Sequence, residues 1–273
     1  MTHIIIGKNS NLSQKLSQKL ENVVLISAKD ISNNITILAP YLGQKVNIIF
    51  NNFQMATKLG DVSNPANYIG YSIGTTSKVL QYIKENNIQV NKIIYTSSSS
   101  VYGNNILCKE TDELKPNSLH AALKVANEKL ISQYCVDNKI DYTIARIFNM
   151  YGGDDHFSVI SKILHCYKNG LTFTVANHGS AIRDFINIED VVSIYEKLLK
   201  TTHVPILNLG TGEGISIKNI IDFLKIHDIN LKIDNITKEE IKMSTADNSL
   251  LLNSLHVNTF MNVETYLLKQ ISK

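Results

Sequence analysis

The chain has 273 residues and a formal net charge of +3, with 44% hydrophobic and 19% charged residues. This length accommodates one large α/β domain with a smaller appendage and a core of its own. The small charge excess and the scattered lysines argue against a nucleic-acid partner, and no apolar run approaches the roughly 20 residues of a membrane helix.

The chain ends and the cysteines indicate no export and no metal site. The amino terminus leads directly into a strand-like run, without a basic segment or a small-residue cleavage site, so we expect a cytoplasmic protein. Cys108, Cys135 and Cys166 are far apart and form no C-x-x-C pair. Their number and spacing indicate neither a disulfide framework nor a zinc site, and we expect buried, apolar thiols.

The first predicted element is a strand that ends in a glycine turn. Three isoleucines lead into Gly7, and leucines at helical spacing follow. Such a strand, turn and helix form half of a dinucleotide fingerprint, because the helix N-terminus can hold a pyrophosphate. Ser10 is equally suited to a simple structural role as the cap of this helix.

Strand and helix patterns then alternate up to about residue 152, which predicts an α/β fold, a Rossmann-type doubly wound parallel sheet. We expect residues 1–152 to form a dinucleotide-binding domain, to which some later segments return, and residues 153–273 to form mainly a smaller lobe. The predicted strands lie at residues 23–26, 46–50, 92–95, 140–146, 173–175 and 207–209, and the predicted helices at residues 64–83, 159–167, 217–224 and 263–271 and from residue 190 onward.

A hydroxyl-rich segment, residues 96–103, follows the strand at residues 92–95 and precedes a helix that carries Lys124. In open α/β sheets, ligands bind at the carboxyl ends of the strands. The serines are therefore well placed to contact a hydroxyl or carbonyl group of a substrate. Serine and glycine are also ordinary turn residues, so this segment alone is equally consistent with a structural turn.

Several motifs stand in an order and spacing that are typical of one enzyme family. They are residues 97–103 (SSSSVYG), Lys124 followed by Glu128, residues 146–152 (RIFNMYG), residues 183–186 (RDFI), residues 190–192 (DVV) and residues 208–212 (NLGTG). With these motifs the chain resembles, nearly end to end, the extended short-chain dehydrogenase/reductases of the NAD-dependent epimerase/dehydratase family, which act mostly on nucleotide sugars. The resemblance implies a nucleotide-sugar substrate, a substrate-binding role for the smaller lobe, and a homodimer as one option.

The resemblance also implies NAD or NADP as the cofactor, held by the turn after the first strand. The family has glycines at the first, fourth and seventh positions of that turn, and here these positions are Gly7, Ser10 and Ser13. Gly7 permits the tight turn, whereas the two serines add bulk where backbone approaches phosphate or helix approaches strand. We therefore expect weaker dinucleotide binding than is usual in the family.

The second strand of the family usually ends with an acidic residue that accepts a hydrogen bond from the adenosine ribose. Ser27 and Lys29 stand there instead, and Asp30 follows. A small residue with a cation suits a 2′-phosphate, so NADP is a candidate beside NAD, unless Lys29 is only a solvated surface lysine. Whether Ser27 or Asp30 faces the ribose stays open. Asn51 and Asn52 stand where the family has small alanines against the cofactor.

The family's proton-exchanging residue is a tyrosine four residues before the lysine, and here that position is His120. Lys124, which also contacts the cofactor in the family, is present, and Ser98 occupies the position of the bridging hydroxyl. His120 can be the proton shuttle, since the ordinary imidazole pKa lies near neutrality. Alternatively, His120 is a relic in a protein that binds nucleotide sugar without turning it over, or Tyr71 supplies the acid.

The resemblance places the substrate against four side chains. Ser98 and Ser100 belong to the hydroxyl segment, and Asn149 matches a residue that contacts the sugar or phosphate. Arg183 matches a residue that faces the diphosphate, for which the planar guanidinium is well suited. The alternative for Arg183 is a surface ion pair with Asp184.

The positions of Ser99 and Ser100 narrow the reaction type. The family's 4,6-dehydratases carry an acidic pair at these two positions, which eliminates water. Serines there argue against dehydration. The remaining hypotheses are 4-epimerisation, reduction of a 4-keto sugar, and binding without turnover.

Overall fold

The computed structural model describes residues 1–52 and 59–272. The β-strands, in chain order, are β1 (Thr2–Ile6), β2 (Val23–Ile26), β3 (Lys45–Phe50), β4 (Gln89–Ser98), β5 (Leu107–Cys108), β6 (Asp141–Ile147), β7 (Asn149–Tyr151), β8 (Thr172–Ala176), β9 (Ile182–Asn187), β10 (Ile206–Leu209), β11 (Gly214–Ser216), β12 (Lys232–Ile236) and β13 (Met243–Ala246). The α-helices are α1 (Asn11–Lys19), α2 (Ala28–Asn33), α3 (Pro65–Ile69), α4 (Thr75–Glu85), α5 (Leu119–Asp137), α6 (Val159–Asn169), α7 (Ile188–Leu198), α8 (Ile217–Ile226), α9 (Ser249–Leu255) and α10 (Val263–Ile271). None of the helices in the described part of the chain is long and apolar enough to cross a membrane.

The largest sheet has six strands in the order β10-β6-β4-β3-β1-β2. β1 pairs in parallel with β2 on one side and with β3 on the other, and β3 pairs in parallel with β4. The chain therefore leaves β1 toward one edge of the sheet and leaves β3 toward the other edge, which makes the β1–β3 pair a topological switch point. This arrangement confirms the predicted Rossmann-type doubly wound sheet.

Strand hydrophobicity explains why the sheet is covered on both faces. Ile4, Ile5 and Ile6 are each at most 1% exposed, although successive side chains of a strand point to opposite faces. A parallel sheet with both faces buried requires such continuous apolar runs. One core cluster packs alternate residues of β1, β3 and β4 against α4 and α5. The expected burial of the thiols holds for Cys108 and Cys135, whereas Cys166 is half-buried.

The predicted helix at residues 64–83 consists of α3, a π-helical turn (Gly70–Gly74) and α4. The side chain of Asn64 accepts a hydrogen bond from the Asn67 backbone N–H and so caps α3. The Thr75 hydroxyl donates to the carbonyl oxygen of Gly70 at 2.8 Å, across the widened turn. This turn packs against α5, and π-helical turns are frequent at functional sites.

The described residues divide into two compact units. The first unit comprises Met1–Val101, Pro116–Arg146 and Val192–Leu207, and the second comprises Tyr102–Lys115, Ile147–Val191 and Asn208–Lys273. This interleaved division differs from a single boundary after residue 152. The chain passes between the units several times, and the return of Val192–Leu207 to the first unit agrees with the expectation that some later segments return to it. A composition change along the sequence marks only one of these passages.

The second unit contains two small sheets. One has the order β11-β9-β13-β5, with β7 also paired to β9, and the other pairs β8 with β12 in parallel. Its core packs α6, α8 and α10 against β8 and β9. Residues 239–272 contain β13, α9 and α10, of which only α10 was predicted. β13 carries buried Ser244 and Thr245, so it lacks the alternation of apolar residues that marks a strand in the sequence.

Candidate active site

The carboxyl end of β4 and the start of α5 adjoin in the first unit, because α5 packs against β4. β4 ends at Ser98, and a short 3-10 turn (Ser99–Tyr102) follows it. The side chain of Ser118 accepts a hydrogen bond from the Ala121 backbone N–H at 3.2 Å and thereby fixes the start of α5. The cap places His120 in the first turn of the helix.

Lys124 joins α5 to the end of β4. It is 6% exposed, its ammonium donates to the carbonyl oxygen of Thr96 at 2.7 Å, and the ammonium nitrogen lies 5.1 Å from the centroid of the Tyr95 ring. Burial lowers the pKa of Lys124 to about 7, although the negative charge of Glu128 opposes this shift. The amine therefore titrates near neutral pH, and such perturbed groups are typical of sites that handle protons.

His120 lies one helical turn before Lys124, so both side chains are on the same face of α5. The pKa of His120 is lowered from 6.5 to about 4, first by burial and second by the positive charge of Lys124. The imidazole is therefore neutral at pH 7 and carries one nitrogen lone pair that can accept a proton. The structure thus brings the predicted proton shuttle and the predicted lysine to one place.

Ser98 stands two residues beyond Thr96, whose carbonyl oxygen holds Lys124. The Ser98 hydroxyl accepts a hydrogen bond from the Ser100 backbone N–H at 3.2 Å. The hydroxyl of Ser100 is buried and has no hydrogen-bond partner among the residues that the structure describes. A buried hydroxyl without a hydrogen-bond partner costs free energy of folding. One explanation is that a bound ligand supplies the partner.

Tyr71, the alternative acid, lies in the π-helical turn and is half-buried. Its backbone carbonyl oxygen accepts a hydrogen bond from the Asn52 side chain at 3.0 Å. The turn packs against α5, which carries His120. Tyr71 therefore stays a candidate.

The next turn of α5 takes part in a buried ion pair that the sequence did not reveal. The Arg146 guanidinium donates to both carboxylate oxygens of Glu128, and the shortest nitrogen–oxygen distance is 2.7 Å. The Ser97 hydroxyl donates to the same carboxylate. All three residues are at most 4% exposed. Glu128 and Arg146 both stand in family motifs, but no local pattern indicates that a helix residue and a strand residue form a pair.

Gly7 lies at the switch point of the large sheet and has a φ of +116°. A Cβ atom at this position would lie 2.3 Å from the backbone oxygen of Asn51 and 2.8 Å from the backbone nitrogen of Asn52. Only glycine fits, because no side chain can enter that space. α1 begins just beyond and has no acidic residue in its first turn, so no carboxylate of that turn opposes an anion at the positive end of the helix. These features fit the pyrophosphate of a dinucleotide.

Ser10 and Ser13, at the two later glycine positions, form a hydrogen-bonded cluster with Asn51. The Ser10 side chain accepts from the Ser13 N–H at 3.0 Å and donates to the Ser13 hydroxyl at 2.9 Å, and the Asn51 amide donates to both hydroxyl oxygens. The predicted cap of α1 by Ser10 is therefore confirmed. The side chains of Ser10, Ser13 and Asn51 hydrogen-bond to one another at positions where the family has small residues. Their separate positions in the sequence did not predict the cluster.

Ser27 and Asp30 cap α2 reciprocally. The Ser27 side chain accepts from the Asp30 N–H at 3.0 Å, and the Asp30 carboxylate accepts from the Ser27 N–H at 3.1 Å. These hydrogen bonds lower the pKa of Asp30, and the charges of Lys8 and Lys29 contribute to the shift. Lys29 is exposed. Two lysines thus act on one carboxylate just after the end of β2. Contact of Ser27, Lys29 or Asp30 with a ribose stays a prediction.

In the second unit, Asn149 and Arg183 lie on neighbouring strands. The Asn149 amide donates to the carbonyl oxygen of Asp184 at 2.9 Å, which connects β7 to β9. The alternative role of Arg183 was a surface ion pair with Asp184. The structure instead places the Arg183 guanidinium 3.3 Å from the Glu240 carboxylate. Burial lowers the pKa of Arg183, and Glu240 opposes that shift.

Asp184 instead holds the glycine-rich turn after β10. Its carboxylate accepts hydrogen bonds from the backbone N–H groups of Thr211, Gly212 and Ala246 at 2.8, 3.0 and 3.1 Å. A Cβ atom on Gly210 would lie 2.6 Å from this carboxylate. The aspartate of the motif at residues 183–186 therefore has a structural role within the second unit, for which the turn glycine is required.

Comparisons with known proteins agree with this geometry. A sequence model described as the NAD dependent epimerase/dehydratase family matches residues 5–210. Protein CapI of Staphylococcus aureus is 29% identical over 216 residues, an alignment that covers 74% of this chain and 64% of CapI. UDP-glucuronate 4-epimerase 4 of Arabidopsis thaliana is 34% identical over 185 residues, which cover 60% of this chain and 42% of that enzyme.

Both alignments thus span less than two thirds of the relative's own length. Among solved structures, UDP-glucuronic acid 4-epimerase from Bacillus cereus in complex with UDP-glucuronic acid and NAD is similar with a TM-score of 0.84. The alignment covers 100% of this chain and 98% of that chain, at 20% identity. At that identity the similarity shows the fold.

Proposed function

Because the chain belongs to the NAD dependent epimerase/dehydratase family, we propose that it is an NAD(P)-dependent nucleotide-sugar enzyme in which His120 exchanges the proton of a sugar hydroxyl. The reaction is 4-epimerisation or reduction of a 4-keto sugar. One observation carries the proposal. His120 and Lys124 share a face of α5, are electrostatically coupled, and adjoin the end of β4 through the bond from Lys124 to Thr96.

The proposed chemistry assigns one task to each side chain. His120 is neutral at pH 7, so its unprotonated ring nitrogen accepts the proton of the sugar hydroxyl, and the resulting imidazolium returns it in the opposite direction. Ser98 donates a hydrogen bond to the same sugar oxygen. Lys124, which titrates near pH 7, tunes the affinity of His120 for its proton. A bound nicotinamide supplies the acceptor and donor of the hydride.

The substrate class follows from the relatives and from the hydroxyl segment. The Arabidopsis thaliana relative is named a UDP-glucuronate 4-epimerase, which makes UDP-glucuronate the first substrate to test. Ser99 and Ser100 offer no carboxyl group, and an acid is needed to eliminate water from the sugar. This argues against dehydration.

For the cofactor we propose NADP beside NAD. Lys8 and Lys29 both act on the Asp30 carboxylate, so a 2′-phosphate near the end of β2 would meet two cations and one anion. Calorimetric titration of both dinucleotides tests this proposal. Lys29→Ala should weaken NADP binding about fivefold and leave NAD binding within twofold, as expected for the loss of one partly exposed charge contact. Equal effects on the two cofactors would remove the argument for NADP.

The activity test turns on His120. Purified protein is assayed with each cofactor against UDP-, GDP-, CDP- and dTDP-sugars and their 4-keto forms, with mass-spectrometric detection. His120→Ala should lower kcat by about 10² to 10⁴ while UDP binding persists, the usual size of a lost general acid–base group. His120→Tyr should retain or raise activity, because Ser98 and Lys124 remain in place.

The pH profile provides a second readout of the same proposal. Activity as kcat/KM should fall on the acid side as the pH approaches about 4, the pKa of His120 in the folded protein, because protonated His120 cannot accept the sugar proton. A limb at alkaline pH that disappears in Tyr71→Phe would assign the role to Tyr71 instead.

A second function is a nucleotide-sugar binding or accessory subunit without turnover. The Ser10–Ser13–Asn51 cluster favours it, because these side chains lie where a pyrophosphate approaches the family's glycines. A silent substrate panel, together with unchanged behaviour of His120→Ala and undetectable binding of NAD and NADP at millimolar concentration, would end the enzymatic proposal. Retained binding of UDP-sugars in the same protein would then support the accessory function.

A further inference from the structure

The segment before β13 holds a carboxylate against the proposed phosphate-binding arginine. Glu240 lies 3.3 Å from the Arg183 guanidinium, and the side chains of Arg183 and Glu240 are 18% and 25% exposed. The guanidinium also donates to the carbonyl oxygen of Ile182 at 2.9 Å. The charge that would bind a diphosphate is therefore already balanced by an anion of the chain itself.

Two anchors fix Glu240 in this position. On one side, the Asn177 amide donates to the Lys238 carbonyl oxygen at 2.6 Å and to the Glu240 carboxylate at 2.9 Å, and its oxygen accepts from the Lys238 N–H at 3.2 Å. On the other side, β13 pairs in parallel with β9, so that Ser244 lies opposite Arg183. The fold of the second unit thus places Glu240 beside Arg183, and the ion pair is not a chance contact of two surface side chains.

Asn177 adopts a left-handed backbone conformation, with a φ of +47°, and His178 follows with a φ of +55°. Neither residue is glycine, and such conformations are uncommon for other residues. The strained pair ends beside Gly179, where a Cβ atom would lie 2.7 Å from the Lys218 backbone nitrogen. Backbone strain of this kind persists only where the surroundings hold it, which is consistent with a segment that must present Asn177 to residues 238–240.

We infer that Glu240 is an internal competitor for the anion site of Arg183, which a nucleoside diphosphate group must displace in order to bind. This inference rests on the proposed function, in which Arg183 binds the substrate's diphosphate. A guanidinium presents the same planar fork to a carboxylate and to a phosphate, so the two anions exclude each other. The greater negative charge of a diphosphate favours the exchange.

The competitor has two consequences. Without ligand, Glu240 balances the charge of a guanidinium that is largely buried, which would otherwise be costly. When a ligand binds, part of its binding free energy is used to break the ion pair. Ligands with a single weak negative charge therefore fail to displace the carboxylate. Glu240 is therefore a specificity-determining residue for the diphosphate group.

Calorimetric titration with UDP tests the inference in wild-type protein, Glu240→Gln and Glu239→Gln. Glu239 is the matched control, because it is the exposed neighbour on the same segment and its substitution removes the same formal charge. Glu240→Gln should bind UDP about threefold to tenfold more tightly than wild type, whereas Glu239→Gln stays within about twofold. The gain should shrink as salt is added, because both anions are partly exposed.

The outcomes separate the inference from the function on which it rests. If all three proteins bind UDP equally, or if both variants gain equally, Glu240 is not a competitor, although nucleotide binding stands. If UDP binds to none of them, the proposed function is overturned and the inference with it. Thermal midpoints of the variants within a few degrees of wild type show that the comparison is made on folded protein.

Discussion

Adjacent turns of α5 carry two kinds of buried ionisable group, a carboxylate with an opposite charge beside it and two basic groups with lowered pKa values. Around Glu128, a carboxylate is matched by the Arg146 guanidinium and by the Ser97 hydroxyl, all within the core of the first unit. Around His120 and Lys124, burial lowers both pKa values, to about 4 and about 7, and the positive charge of Lys124 lowers the pKa of His120 further. The first cluster pairs opposite charges, whereas the second buries two basic groups on one helix face, of which the Lys124 amine titrates near neutral pH.

The difference separates a structural role from a chemical one. A buried carboxylate and a buried guanidinium that hydrogen-bond to each other fix the position of α5 against β4 and β6. Burial of an imidazole and an ammonium lowers their pKa values and costs stability, and enzymes concentrate such groups where a proton must move. Glu128 links the clusters, because its negative charge raises the pKa of Lys124.

The largest expected effect is the loss of the matched pair. Glu128→Gln leaves the Arg146 guanidinium buried without a counter-charge and should destabilise the protein by about 3–5 kcal/mol, measured by urea unfolding. Asp222→Asn, which breaks the exposed pair of Lys218 and Asp222, is the control and should cost less than about 0.5 kcal/mol.

The double substitution Glu128→Leu with Arg146→Met should recover much of that loss, since it removes both charges together. Equal stabilities of wild type and Glu128→Gln would contradict the structural role of the pair.

Burial of His120 should make the unfolding free energy depend on pH. The folded-state pKa of His120 lies below its ordinary value of 6.5, so the unfolded chain takes up the proton first. The stabilisation is therefore fully present above pH 6.5 and is lost as the pH falls from 6.5 toward 4. Between pH 6.5 and pH 5 the loss should approach about 2 kcal/mol.

His120→Gln should remove this contribution, so that its unfolding free energy, measured by urea titration at several pH values, changes less over the same interval. If the two proteins show the same pH dependence, the imidazole is not desolvated in the folded state.

A smaller effect is expected from the hydroxyl that completes the matched cluster. Ser97→Ala removes one donor to the Glu128 carboxylate and should cost about 1–2 kcal/mol of unfolding free energy. Ser132→Ala on the same helix is the control, because its hydroxyl donates only to the Lys129 carbonyl oxygen, and it should stay within about 0.5 kcal/mol. A Ser97→Ala value inside the control range would show that Arg146 alone suffices.

Continuous apolar strands, the glycine turn and most helix positions could be predicted from the sequence, because hydrophobic periodicity and local turn chemistry determine them. α10 lies where its pattern indicated, and Ser10 caps α1 as expected. β5 and β13 could not be predicted, because two to four residues become a strand only through pairing with each other and with β9.

The site shows the same limit. His120 and Lys124 are one turn apart on one helix, so their proximity follows from spacing alone. The partners of Glu128 and Arg183 lie 18 and 57 residues away in the chain, and only the fold selects them. The reciprocal cap of Ser27 and Asp30 is a local feature, because a serine followed three residues later by a carboxylate is the pattern of a capping box.

The measurement that addresses the coupled His120 and Lys124 pair most directly is an NMR titration of the His120 ring in wild type and in Lys124→Met, with the resonance assigned by its loss in His120→Gln. The wild-type pKa should lie well below 6.5, and it should rise in Lys124→Met while staying below 6.5, because the charge is removed but the burial remains. A wild-type pKa at 6.5 that does not respond to Lys124→Met would contradict the coupling on which the proposed proton exchange depends.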